Sequence, residues 1–89
     1  MGLADRPDKT RINIVWQDPA IMQIGKSGLS EGIIKETKRL LKKHKYIKVR
    51  LLRSAVTSSS KEEVFKSLAQ GTGSHLAGIR GNTAVLYKL

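Results

Sequence analysis

The chain of 89 residues contains no cysteine, which excludes both a disulfide framework and a thiolate metal site and suits a reducing, cytoplasmic compartment. Aromatic residues are scarce, at 4%, which weakens any mechanism built on a platform of stacked rings. No apolar run approaches the ~20 residues that a membrane span requires, and residues 1–9 hold no apolar stretch of the secretory kind. A membrane is therefore not an expected partner. Acid is scarce too: 7 Asp and Glu stand against 17 Lys and Arg, a formal net charge of +10. Hydrophobic content of 39% and charged content of 27% are ordinary for a folded domain, and the length allows one core. The expected organisation is a mobile polar lead-in over residues 1–9 and a single domain over residues 10–89.

The positive charge is concentrated. Residues 35–53 hold nine cations (Lys35, Lys38, Arg39, Lys42, Lys43, Lys45, Lys48, Arg50 and Arg53) against Glu36 alone, whereas residues 1–34 are balanced and residues 54–89 carry a small excess. A solvated face normally mixes signs, so a one-signed stretch points to a polyanion, and nucleic acid is the commonest in a cell. A structural reading, in which the lysines serve only solubility, stands beside it.

Hydrophobic periodicity divides the chain. Residues 11–17 alternate, with Ile12, Ile14 and Trp16 on one side, and predict a strand that ends at Asp18-Pro19. Residues 20–24 predict a short strand. Ser30 is a fitting N-cap for a helix reaching about His44, with Leu29, Ile33, Ile34, Thr37, Leu40 and Leu41 on one arc and the cations on the other. Residues 46–52 return to a period of two, which turns Ile47, Val49 and Leu51 inward and Lys48 and Arg50 outward. Ser60 with Glu63, or Ser59 with Glu62, makes a capping box for a second helix with Val64, Phe65, Leu68 and Ala69 as its buried stripe, ended by Gly71 and Gly73. Residues 75–80 and 83–89 predict two strands joined at Gly81-Asn82. The fold class is α/β (α+β): a β-α-β-α-β-β order in which a mixed sheet packs with two helices.

Between the first short strand and the first helix lies Gly25-Lys26-Ser27-Gly28. Two glycines permit backbone geometry that other residues resist, and the following helix turns its unpaired amides and positive dipole end toward the loop. Lys26 would offer a point charge to a phosphate, Ser27 a hydroxyl, and the amides near Gly28 and Leu29 further donors. A plain strand-to-helix turn is the alternative for an isolated motif. The nucleotide-binding P-loop is excluded, because the glycine it needs five positions before Gly25 is Ala20. His44, on the apolar arc, is expected to be partly buried and structural, and two histidines without cysteine make no zinc site. Trp16 is expected in the core, and Tyr87 is open between core packing and base contact. No pattern of nucleophile and base supports catalysis, and no cofactor is implied.

Two families share the glycine loop. In KH domains it joins two helices, whereas here a strand precedes it. The chain resembles the chloroplast RNA splicing and ribosome maturation (CRM) domain family, above all its single-domain prokaryotic and archaeal members. The resemblance covers roughly residues 21–89. It rests on Gln23-Ile24-Gly25-Lys26-Ser27-Gly28-Leu29-Ser30, on the run His44-Lys45-Tyr46-Ile47-Lys48-Val49, on Leu68-Ala69-Gln70-Gly71-Thr72-Gly73, and on Gly81-Asn82-Thr83 with Leu86-Tyr87-Lys88. It implies a fold similar to the C-terminal domain of bacterial translation initiation factor three. It also implies RNA binding through the loop and its basic surroundings, in ribosome assembly or intron splicing. The chain departs from the family at its front, where residues 8–18 read as extended and many members carry a basic helix.

The expectation is a monomeric, non-enzymatic RNA-binding protein for which ribosomal RNA, and through it ribosomal particles, is the favoured partner. Its predicted contacts are Gly25, Lys26, Ser27, Gly28, Lys35, Lys38, Arg39, Lys42, Lys43, Lys48, Arg50 and Arg53. The alternative is a module that docks an acidic or ribosomal protein through the same stripe.

Overall fold

The computed structural model describes residues 7–25, 28–52 and 60–88. Among the features singled out above, residues 1–6 of the lead-in, Lys26 and Ser27 of the loop, Arg53, Ser59 and Leu89 lie outside them. The elements are α1 (Lys9–Gln17), β1 (Met22–Ile24), α2 (Glu31–His44), β2 (Tyr46–Leu51), α3 (Lys61–Thr72), β3 (His75–Arg80) and β4 (Thr83–Tyr87). From β1 to β4 this is the β-α-β-α-β-β order that the sequence predicts, with one helix added in front.

That added helix corrects the reading of residues 11–17 as a strand. Asp8 is its N-cap: the carboxylate accepts from the amides of Thr10 (3.0 Å) and Arg11 (3.2 Å), donors that the first helical turn would otherwise leave unpaired. The half-buried residues are Ile12, Val15 and Trp16, at helical i, i+3, i+4 spacing, while Ile14 is 54% exposed. The alternation was a coincidence of β-branched residues, and the cap together with a sheet to lie on overrides their strand propensity.

The four strands form one sheet in the order β1-β2-β4-β3, with β1 and β2 parallel and the other pairs antiparallel. A parallel pair needs a crossover, and α2 supplies it. The register places Met22 beside Val49, Ile24 beside Leu51, Val49 beside Ala84, Ile47 beside Leu86 and Leu86 beside Leu76, all on one face. On that inner face pack Leu40 and Leu41 of α2 and Phe65, Leu68 and Ala69 of α3, which together make the core. The outer face is crossed by α1, which packs on β2 and β4, and there Val85 is fully buried.

The helix ends follow from their residues. Ser30 accepts from the amide of Ile33 (3.3 Å) and Ser60 from that of Glu63 (3.2 Å), so Ser60 is the N-cap of α3. Gly73, at φ +65°, closes α3 in the left-handed region. Gly71 does not end the helix as predicted but lies inside it. A Cβ there would approach Ile34 Cδ1 to 3.2 Å, so its lack of a side chain lets α2 and α3 pack closely. Gly81, at φ +58°, opens the β3–β4 turn; positive φ at the first turn residue and not the second is the type II′ pattern.

Candidate nucleic-acid interface

The glycine loop sits where β1 gives way to α2. The amide of Leu52 donates to Ile24 O (3.0 Å), which ties the end of β1 to β2, and the amide of Gly28 donates to Gly25 O (2.9 Å), which holds the two glycines together. Gly28 holds φ +68°, a conformation that a side chain would strain, and Ser30 donates back to Gly28 O (3.1 Å) before capping the helix. The loop is thus fastened to β2 on one side and to the N-cap of α2 on the other. Glu31 is the acidic residue of that first turn, and it competes with an incoming anion for the helix dipole.

Along α2, Lys35, Lys38, Arg39, Lys42 and Lys43 are all exposed, while the buried residues Thr37, Leu40 and Leu41 lie on the opposite side. At 100° per residue the five cations fall within an arc of about 140°, spread over roughly 12 Å of helix length. Glu36 interrupts them. It pairs with Arg39, whose Nε lies 3.2 Å from Oε1. That hydrogen bond, aided by the charge of Arg39 and opposed by slight desolvation, holds the Glu36 carboxyl below its ordinary range; Arg39 is shifted upward by the same hydrogen bond and the charge of Glu36. Both side chains are in solvent, so the pair tethers Arg39 with little gain in stability. Lys35, Lys38, Lys42 and Lys43 make no ion pair among the described residues.

The predicted stripe does not run unbroken from α2 onto β2. Strand alternation sends Ile47, Val49 and Leu51 toward α2 and α3, so Lys48 and Arg50 leave the sheet on the face that α1 crosses. The loop and the α2 cations form one surface, and Lys48 and Arg50 belong to another. Lys48 is also committed within the fold: its Nζ donates to the carbonyls of Trp16 and Asp18 (2.9 Å each), which caps the C-terminus of α1. Arg50 is exposed.

The outer face brings together residues that the sequence does not show to be neighbours, among them Trp16, which was expected in the core. Trp16 is half-buried, with the guanidinium of Arg80 4.6 Å from its ring centre and Lys48 Nζ at 5.9 Å. Tyr46, Tyr87 and His75 stand in register across β2, β4 and β3 and stack, with centroids 5.8 and 5.2 Å apart. Tyr87 is therefore neither plain core nor an open platform but the middle of a stacked row. The Arg11 guanidinium lies 4.7 Å over Tyr46 and donates to His44 O (3.0 Å), and the Asp8 amide donates to the Tyr46 hydroxyl (2.7 Å). His44, expected to be partly buried, is exposed on the last residue of α2, beyond the reach of the core. The signal that could have exposed this arrangement is Asp8 itself, an N-cap residue followed by Ile12, Val15 and Trp16 at helical spacing.

Among the described residues no cluster of three or more His, Asp or Glu could hold a metal, and no helix is long and apolar enough to cross a membrane.

Comparison with known proteins matches this arrangement to one family. Residues 9–88 match the model of the CRS1 / YhbY (CRM) domain. The chain is 37% identical over 68 residues to Probable RNA-binding protein YqeI of Bacillus subtilis (strain 168), a match covering 76% of this chain and 69% of that protein. The solution structure of the hypothetical protein SAV1595 from Staphylococcus aureus, described as a candidate RNA-binding protein, superposes with a TM-score of 0.74 at 28% identity, covering 91% of this chain and 83% of that one. The helix in front of β1 lies within the matched span, so the departure predicted at residues 8–18 does not exist. Since the match spans residues 9–88, nearly the whole chain, the chain belongs to the CRS1/YhbY (CRM) domain family.

Proposed function

We propose that the chain is an RNA-binding module that holds the phosphate backbone of structured RNA along the Gly25–Gly28 loop and the cationic face of α2, without chemistry of its own. The observation that carries this reading is the array of exposed cations on α2, of which Arg39 alone is paired with acid among the described residues, starting one turn from a loop anchored to the same helix. Lys26, Ser27 and the amides near Gly28 would contact phosphate at one end, and Lys35, Lys38, Arg39, Lys42 and Lys43 would follow the backbone away from it. Point charges on a helix read shape and backbone better than base identity, so modest sequence preference is expected. The relatives named as RNA-binding support RNA as the ligand, and precursor ribosomal RNA, met in the cytoplasm on an assembling ribosomal particle, is the target we favour.

The test is a titration of a structured ribosomal RNA fragment at several salt concentrations with the wild type and with Lys26→Ala plus Gly28→Asp. The variant should bind more weakly and on a shallower salt slope. Equal affinity on an equal slope would remove the loop from the mechanism. Nuclease treatment separates the alternative of an acidic protein partner: association with ribosomal particles should vanish if RNA is the ligand and persist if a protein is.

A further inference from the structure

The outer face of the sheet has two unequal halves. Over one half lies α1, fastened by Lys48 to its last carbonyls, by the Tyr46 hydroxyl to its first amide, and by Trp16 set beside Gly78. The helix ends at Gln17, and the chain then turns through Asp18-Pro19 toward β1. Beyond that end one row of side chains is left open. The register places Gln23 beside Arg50, Arg50 beside Thr83, and Thr83 beside Arg80, so a single row crosses all four strands. Strands about 4.8 Å apart put the two arginine backbones about 10 Å from one another.

This row has the chemistry of an anion-binding surface. Gln23, Arg50 and Arg80 are exposed; an open groove bordered by Pro19, Ala20, Gln23, Lys48, Arg50 and Thr83 covers the row from Gln23 to Thr83, and Arg80 borders a neighbouring groove with Trp16. No carboxylate pairs with Arg50 or Arg80 among the described residues, and the nearest acid in the covering segment, Asp18, borders the grooves on the Val15 side. Arg80 is pre-positioned: its guanidinium lies over the Trp16 ring, 4.6 Å from the centre, and donates to no protein group among the described residues. A stacked guanidinium loses less freedom when it grips a phosphate or base edge than a free lysine does. Gln23 and Thr83 add neutral donors and acceptors between the charges. This is not the surface of α2, which packs on the inner face.

We infer that this row is a second RNA contact, centred on Arg50 and Arg80, and that the domain therefore holds two RNA segments on opposite sides of its sheet and brings them together. The bridging rests on the reading of α2 as the first contact; the second contact does not. An acidic protein would also meet the charges, but paired arginines with amide and hydroxyl neighbours suit phosphate and base edges better.

The experiment uses the full chain and two copies of one short RNA hairpin, labelled with a donor and an acceptor fluorophore. Wild type should raise energy transfer to a maximum near one protein per two hairpins, and excess protein should lower it. R50A/R80A should bind one hairpin and abolish the transfer, so that the second binding step is lost together with its share of the overall salt slope, about 1.8 for two phosphates. The charge-preserving R50K/R80K should restore part of the transfer, and a melting curve shows whether the alanine variant is folded. If R50A/R80A matches wild type in stoichiometry, transfer and slope, the second contact is overturned. If it leaves RNA unchanged but loses binding to polyglutamate, the face is a protein site and the inference fails. If K38A/K42A binds two hairpins as well as wild type, the α2 reading falls and bridging with it, while loss of binding in R50A/R80A would still establish the outer row as a contact.

Discussion

The helices α1 and α2 are held to the sheet in opposite ways. α2 buries Thr37, Leu40 and Leu41 in the core, whereas α1 has no buried residue and is docked by a cap, a stacked tryptophan and the lysine on its last carbonyls. The cations follow the same division. Those of α2 are long side chains in solvent, while Arg11, Lys48 and Arg80 are set against carbonyls or rings. One helix is therefore part of the core with a charged back, and the other is a clasp whose polar contacts fix both itself and the arginines beside it.

The sharpest break in this comparison comes from truncating each helix. Leu41→Ala, at a position with no solvent exposure, should cost about 2–5 kcal/mol and lower the urea midpoint of the whole domain. Lys48→Met keeps the stem but removes the donor to the Trp16 and Asp18 carbonyls. It should cost about 1 kcal/mol, with faster amide exchange confined to α1. Asp8→Ala should cost about 1 kcal/mol by loss of the N-cap and show the same local signature. If either variant sped exchange in α2 equally, the two helices would be one cooperative unit and the contrast would be wrong. Lys45, the non-glycine residue with positive φ (+69°) among the described residues, ends α2, and Lys45→Gly should raise stability by up to about 1 kcal/mol.

The contrast also explains what could be read from the sequence. α2 was legible from its Ser30 cap to about His44, because its apolar arc faces a core that any fold of this chain must build, and its cap is local. The β2 alternation and the Gly81-Asn82 turn were legible for the same reason. α1 was not, because half-burial blurs the apolar period and the partners that hold it, Tyr46, Lys48 and Gly78, are distant in sequence and joined by register alone. The same blindness merged two basic surfaces into one stripe. Lys42 and Lys48 are close in sequence, yet the sheet stands between the sides on which they emerge.

Glu36→Gln would sharpen the account of the α2 face by releasing Arg39. Because the pair lies in solvent, stability should scarcely change, while RNA affinity at low salt should rise and the salt slope steepen by up to about 0.9. The central claim, that RNA lies along the exposed face of α2, is tested most directly by the salt dependence of binding of a structured RNA to Lys38→Ala/Lys42→Ala. Both side chains are exposed, so the fold should be unchanged. Binding should weaken, with a slope shallower by about 1.8, two phosphates' worth of released counterions. Wild-type affinity on the wild-type slope would contradict it.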